Sequence, residues 1–528
     1  MRALRPVLHF SPVLYGHPMH QRKVQFILMK TTLRISLFTT ASAAACIIAA
    51  GCSGSNGAST FPGAQGGGGS SGGGSSNGSS NMTASSGGGG SDDGGSFLAL
   101  PDSCSGLLCM QVDCEGGTPT TISGTVYDPA GKVPLYNVIV YVPSAPVQPF
   151  TTSGATCSPC GGTVSGSPVA ATLTDATGHF SLTNIPPGKD IPLVMQVGRW
   201  RRQVTIPSVT ACAETVISDH NLTRLPRNQS EGDLPRVALA TGGADPLECL
   251  LRKVGVDDSE FTRAGGNGRV HLYSGGSWTD AMNTTHPATN AFASSLNGGA
   301  QLASATTIWN SAPSMMAYDM ILLACEGTLN EASKPIAARQ ALYDFENGGG
   351  RVFASHWHRY WLSDGPAPVP SVGTWLDQMD PAPTGATAIG HVDVSFPKGQ
   401  ALRDWLVNVG ASTTPGQLPI KDSKDNISAV NLAEAQQWIT MPNPNVSNQT
   451  AVEYMTFNAP IGVPTASQCG RVVYSDLHVS SGDQPGQPFP SGCITTDLSP
   501  QEKALEFMLF DLSSCIQTDG KAPTPPVF

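Results

Sequence analysis

Two short runs in this chain carry residues able to do chemistry at close quarters. The first is Ser355-His356-Trp357-His358, which ends an apolar stretch opening at Arg351. The second is Asp476-Leu477-His478, which follows Gly470-Arg-Val-Val-Tyr-Ser475. A hydroxyl, an imidazole and a carboxylate are the parts of a nucleophile, base and orienter, so Ser355, His478 and Asp476 form one candidate catalytic set. Imidazoles two residues apart on an extended chain share a face. His356, His358 and His478, with Glu326 or Asp476 as a carboxylate, therefore form a candidate site for a divalent metal. A third alternative makes the same groups the lining of a polar crevice for a small ligand. No other cofactor is expected.

Both runs need strands ending on one edge of a sheet, and the surrounding pattern supplies them. Arg236-Val-Ala-Leu-Ala-Thr241 has the continuous apolar character of a buried strand. Asp245-Pro246 is read as an N-cap followed by Pro at the first helical position. Leu247, Leu250, Leu251 and Val254 follow at helical spacing, and Gly255 stops the helix. A second unit pairs the strand Tyr318 to Ala324 with a helix from Ser333 to Asn347, and Gly348 to Gly350 lead into the strand Arg351 to Ala354. The last helix opens with the capping box Ser499-Pro-Gln-Glu502 and buries Leu505, Met508, Leu509 and Leu512. Strands alternating with helices over residues 235–517 predict a three-layer α/β domain with a mainly parallel sheet. Residues 518–528 form a tail, and 363–451, rich in Pro and Asn, give no clear assignment.

The stretches YDMILLACEG (318–327), ALYDFENGGGRVFASH (341–356) and GRVVYSDLH (470–478) before a closing helix resemble the glutamine-amidotransferase-like, flavodoxin-like α/β fold. The branch is the one shared with trehalose-utilisation-type domains. In amidotransferases the strand after the Gly-rich turn leads into a Gly-x-Cys-x-Gly elbow, whose cysteine is activated in a strained turn at a helix N-terminus. Here the turn reads Ala354-Ser-His-Trp-His358, without that cysteine or either glycine. The family's later His-x-Glu is replaced by Asp476-Leu-His478, and Cys325 follows a strand one too early to be the nucleophile. The resemblance implies the fold without the amidotransferase chemistry.

Residues 97–222 are cysteine-rich and read as β-structure. Thr121 to Tyr127 alternates, Asp128-Pro-Ala-Gly131 suits a type I turn, and Val138 to Val142 is a second strand. A hairpin over Ala171 to Leu182 turns at Asp175 to Gly178 and puts Phe180 and Leu182 on one face. Asp190 to Ile206 and Ala213 to Ile217 complete the set. GTVYDPAGKVPLYNVIVYVP (124–143) and TDATGHFSLTNIPPG (174–188) resemble the carboxypeptidase regulatory-like domain. That resemblance implies a small transthyretin-like β-sandwich with accessory, adhesive or sugar-binding roles and no catalytic residues. Trp200, among Arg199, Arg201 and Arg202, is a candidate platform for stacking a sugar or peptide. The alternative is an edge strand that resists pairing.

The ends suggest a location. Residues 1–52 hold six Lys/Arg and no acid, with a charged stretch after Met29, read as the start, and an apolar core from Ile35 to Ala50. Ile47-Ile-Ala-Ala-Gly-Cys52 resembles a bacterial lipoprotein signal, with Cys52 the lipid acceptor. Residues 53–96, mostly Gly, Ser and Asn, form a tether with a reach of roughly 35–40 Å. Residues 223–234 link the two domains. Of 29 basic residues, six precede residue 53, leaving 23 against 39 acidic ones, a formal charge of −16 that excludes nucleic acid as a partner. Eleven cysteines follow Cys52, and an odd number in an exported chain predicts disulfides plus at least one free thiol. The expectation is an exported, lipid-anchored protein of the outer membrane or cell surface. Its role is binding or scaffolding, with a glycan or envelope component as partner. The alternative is a hydrolase of sugar or peptidoglycan-derived substrates.

Overall fold

The computed structural model describes residues 106–376 and 387–527. The leader, Cys52 and the tether lie outside them. The described residues belong to one compact unit. It has two architectures within it: seven strands in two small sheets, then a large mixed sheet with helices.

The first part contains β1 (Thr121–Thr125), β2 (Ile139–Pro143), β3 (Pro168–Leu173), β4 (His179–Thr183), β5 (Gly188–Val197), β6 (Trp200–Val209) and β7 (Glu214–Ile217). They pair in the orders β4-β1-β7 and β3-β2-β5-β6. Alternation supplies the core: Ile122, Phe180 and Leu182 from one sheet meet Val140, Leu193, Met195 and Ile206 from the other. The turn at Asp175 forms as its sequence predicts, but the strands it joins do not pair as a hairpin: β3 pairs with β2 in one sheet and β4 with β1 in the other. Gly178 donates to the Asp175 carbonyl at 2.9 Å and takes the left-handed conformation at φ +75°.

The second part begins with β8 (Val237–Ala240) and α1 (Leu247–Lys253), followed by β9 (Phe261–Arg263), β10 (Val270–Ser274), β11 (Ala303–Ser304) and β12 (Met320–Leu323). Then come α2 (Ile336–Asn347), β13 (Arg351–Ser355), β14 (Thr387–Val392), α3 (Pro397–Asn408), β15 (Gln417–Lys421), β16 (Ala435–Pro442), β17 (Thr450–Ala459), β18 (Gly470–Ser475) and α4 (Pro500–Ser513). The main path of the sheet is β11-β10-β8-β12-β13-β18-β17-β16-β14-β15. From β11 to β18 every pairing is parallel, and from β18 to β15 every pairing is antiparallel. The sheet is thus mixed rather than mainly parallel. Its antiparallel half comes largely from 363–451, where Pro and Asn hide the strand pattern. In the parallel half β8, β12, β13 and β18 lie where the sequence places strands, β9, β10 and β11 are additional to them, and the capping box at Ser499 forms in both directions.

The segment 223–234 changes architecture without opening a gap in the packing. Trp200 is 3% exposed and tilts against Phe510 of α4 with ring centroids 5.7 Å apart, and Tyr136 stacks on Phe507 at 5.8 Å. A Cβ on Gly198, at φ +55°, would overlap the Ser513 carbonyl oxygen. Disulfides Cys157–Cys469 and Cys160–Cys515 tie the two parts together, while Cys114–Cys212 and Cys249–Cys493 lie within one part each. Cys109 is also bridged, and Cys325 is the free cysteine among the described residues.

Candidate functional site

Four neighbouring parallel strands, β8, β12, β13 and β18, end on one edge of the sheet. The residues just past their ends are Asp245, Cys325, His356 and His478. In open α/β sheets this carboxyl edge is where ligands collect.

His356 follows β13 and has φ +43°. A left-handed backbone at a residue with a Cβ is disfavoured by about 1–2 kcal/mol, so the surroundings must impose it. The turn carries the chain from the strand into the 3-10 helix His356–Arg359, and the Tyr474 hydroxyl, 3.1 Å from the His356 carbonyl oxygen, holds it. The conformation aims the imidazole at Cys325, with Nδ1 3.3 Å from Sγ. His478 completes the group, its ring centroid 5.1 Å from that of His356. One donor atom from each of Cys325, His356 and His478 lies within 4.8 Å of the others.

The thiol is fully buried and His356 is 1% exposed, whereas His478 is half-buried with a buried Nε2 that has no hydrogen-bond partner. Burial pushes the Cys325 thiol far up, against the pull of the Trp357 and Gly327 N–H groups. Burial, then the nearby His478 and Lys424, push His356 well below its ordinary value. Burial and Lys424 bring His478 down to about 3. At neutral pH the group is a thiol beside two uncharged imidazoles, the form in which imidazole binds metal.

The other sequence candidates are placed differently. The Ser355 hydroxyl donates to Asp245 Oδ2 at 2.9 Å rather than to His478. The Asp476 carboxylate accepts from the Tyr474 hydroxyl at 2.7 Å and the Asn426 N–H at 3.1 Å, and does not orient His478. Ser355, His478 and Asp476 therefore do not form the relay that their types suggested. The strand stops at Ser475, so the alternation that would align Asp476 with His478 is lost. His358 turns away from His356 because the chain becomes helical there. Its Nδ1 accepts from the Trp361 indole at 2.9 Å, which leaves the proton on Nε2 to donate to the Ala324 carbonyl at 3.0 Å. With both nitrogens engaged, its place in the metal set passes to Cys325. Glu326 is held by Lys334 at 2.6 Å, Asn330 at 3.0 Å and the Gly276 N–H at 2.8 Å. Trp200, packed under α4, offers no stacking face.

Two residues of this edge carry roles that the sequence pattern hid. Asp245 looks like a helix cap, yet its carboxylate ties Ser355 to the Val479 N–H, accepted at 3.0 Å, and burial raises it to about 6. It thereby fixes the ends of β13 and β18 relative to β8. Cys325 had one available signal, the odd number of cysteines.

Chemically, a thiolate and two imidazoles make a three-donor set suited to a borderline-soft divalent ion, with one position left over. Two donors at typical zinc distances stand roughly 3.5 Å apart in a tetrahedron. The Cys325–His356 separation of 3.3 Å is close to that.

No family model and no curated protein matches this chain. Among solved structures, a protein described as ThuA-like from Bacteroides uniformis aligns over 52% of this chain and 91% of its own, with 11% identity and a TM-score of 0.28. A type II cohesin–X-dockerin complex from Acetivibrio cellulolyticus aligns over 27% and 75%, with 15% identity and a TM-score of 0.14. Likeness at these levels decides neither fold nor function.

Proposed function

We propose that this is an exported, lipid-anchored envelope protein whose α/β part, of the amidotransferase-like, flavodoxin-like kind, binds a zinc-class divalent ion through Cys325, His356 and His478. A transthyretin-like sandwich and the tether at 53–96 present it away from the membrane. The observation that carries the proposal is the convergence of three soft or borderline donors within 4.8 Å. Two facts support it. The other described cysteines are bridged, so a thiol kept free and buried against two imidazoles has a use beyond stapling. The imidazoles are uncharged, so on binding only the thiol proton must leave.

Burial of Cys325 and His356 excludes a polymer from the ion and favours binding over polymer hydrolysis. A second reading, metal-assisted hydrolysis of a small sugar-derived substrate, is favoured by the half-buried His478 and by the fourth position that three protein donors leave. Elemental analysis and cobalt substitution of the intact chain test the first reading, with a thiolate-to-cobalt charge-transfer band as the expected signature. Chelator-sensitive turnover of small sugar esters would add the second. Absence of both metal and band would overturn both readings.

A further inference from the structure

Lys253 closes α1, and its ammonium meets two carboxylates. Nζ stands 2.5 Å from Asp483 Oδ2 and 2.7 Å from Glu502 Oε1. Asp483 lies in the loop that follows His478, and Glu502 in the first turn of α4. The three side chains are 2%, 0% and 0% exposed, so their charges have been taken out of water, which is costly even for a well-made pair. Condensing one ammonium with one carboxylate would remove two of those charges.

The two carboxylates are held differently. Asp483 Oδ1 accepts from the Thr495 N–H and the Thr495 hydroxyl, both at 3.0 Å, while Oδ2 faces the amine. Glu502 Oε2 accepts from the Ser499 N–H at 2.7 Å, and its Oε1 accepts from the Ser481 hydroxyl at 2.8 Å. That hydroxyl stands 3.4 Å from Asp483 Oδ2, between the two acids. A carboxyl C–O bond adds about 1.2 Å to the Nζ–Oδ2 contact, so Cγ is no more than about 3.7 Å from the amine, near the separation of a near-attack contact. Burial pushes the Asp483 carboxyl up, but Lys253 and the Thr495 donors outweigh it and hold it below its ordinary value, so Asp483 starts as the carboxylate. Cys249–Cys493 bridges α1 one turn before Lys253 to the loop two residues before Thr495, and fixes helix and loop against each other. Lys398 and Asp511 meet as closely, at 2.6 Å, but Arg471 takes the other Asp511 oxygen at 2.7 Å and keeps the charge there.

We infer that Lys253 and Asp483 condense into an intramolecular amide, with Glu502 as the proton carrier. Glu502 Oε1 takes a proton from the ammonium, and the freed lone pair attacks Asp483 Cγ to form the Nζ–Cγ bond. Charge gathers on Oδ1, where the two Thr495 donors hold it. The Cγ–Oδ2 bond then breaks, and Oδ2 leaves as water with the proton from Glu502 and a second one from nitrogen. Ammonium and carboxylate become amide and water, with nothing oxidised or reduced. The amide ties the loop that begins at His478 to α1 by a bond that, unlike Cys249–Cys493, a reductant does not break.

Peptide mapping of the intact chain by mass spectrometry, after reduction, alkylation and tryptic digestion, tests the inference. The peptides holding Lys253 and Asp483 should be recovered as one branched species, uncut after Lys253 and lighter than their sum by about 18 Da, one water. Glu502→Gln keeps a side chain able to serve the capping box and should lower the branched fraction about ten-fold or more, as loss of a proton carrier predicts. Lys253→Arg keeps the cation and should abolish the branch. If Lys253→Arg fails to fold, the wild-type map and Glu502→Gln still decide. Separate linear peptides with trypsin cutting after Lys253 in the wild type, a branch placed at Glu502, or a Glu502→Gln variant branched as fully as wild type would overturn the inference.

Discussion

Cys325 Sγ and His356 Nδ1 stand 3.3 Å apart, just beyond the ends of two neighbouring parallel strands. Neither residue reaches the other by sequence proximity. The register of β12 on β13, Leu323 opposite Ala354, brings them together, and the left-handed turn at His356 aims the ring. Replacing the turn residue while keeping its donor is not feasible, so the relationship is best tested through the residues around it.

His358 is assigned here to holding the turn, not to binding an ion. His358→Ala removes the bonds to Trp361 and Ala324, and should cost about 2–4 kcal/mol of stability. Metal stoichiometry at saturating zinc should persist. Denaturant unfolding and elemental analysis of the same preparation check both halves, and loss of metal in a folded variant would return His358 to the ligand set.

Trp200 is assigned to the contact between the sandwich and α4. Trp200→Ala should destabilise by about 3–5 kcal/mol, as expected for deleting a buried aromatic. A glycan-binding assay should show no loss specific to this variant. A fully stable variant with lost glycan binding would restore the stacking role.

Glu346 gives a pH test independent of either site. Burial raises its carboxyl from 4.5 to about 8, and one of its oxygens has no hydrogen-bond partner. Its protonated form is favoured in the folded state, so its contribution is fully present below pH 4.5 and is lost as pH rises through 8. Glu346→Gln should flatten stability over that window and gain on the order of a few kcal/mol above it. Thermal unfolding between pH 4 and 9 measures this. A wild type and variant that run in parallel would rule out the buried carboxyl as the cause.

Cys160–Cys515 joins the sandwich to the end of α4 across 355 residues of sequence. The Cys160→Ser, Cys515→Ser double variant should lose about 2–4 kcal/mol and release the sandwich side to protease before the parallel strands. Limited proteolysis with mass spectrometry would show which part is cut first. Simultaneous loss of both parts would mean that Cys157–Cys469 and the apolar contact through Trp200 and Tyr136 suffice without this bridge.

Elements whose patterns are local were readable from sequence. The Asp175 turn, the strand at Gly470 and the capped helix after Ser499 depend on spacing and turn chemistry within a few residues. The antiparallel half of the large sheet was not readable, because β14 and β16 carry polar and proline-bounded runs whose pairing is decided by long-range register. At the site, the histidines were found by type, but their directions were not. His356 and His358 would share a face only on a strand, and the chain leaves the strand at Ser355. Asp245 was mistaken for a cap because its partners, Ser355 and Val479, lie 110 and 234 residues away.

The metal content of the intact purified chain, measured beside Cys325→Ser and His478→Ala, tests the central claim most directly. The proposal predicts about one zinc-class ion per chain in the wild type and loss of most of it in both folded variants. A metal-free wild type that also fails to take up zinc or cobalt, or variants that keep the wild-type stoichiometry, would contradict it.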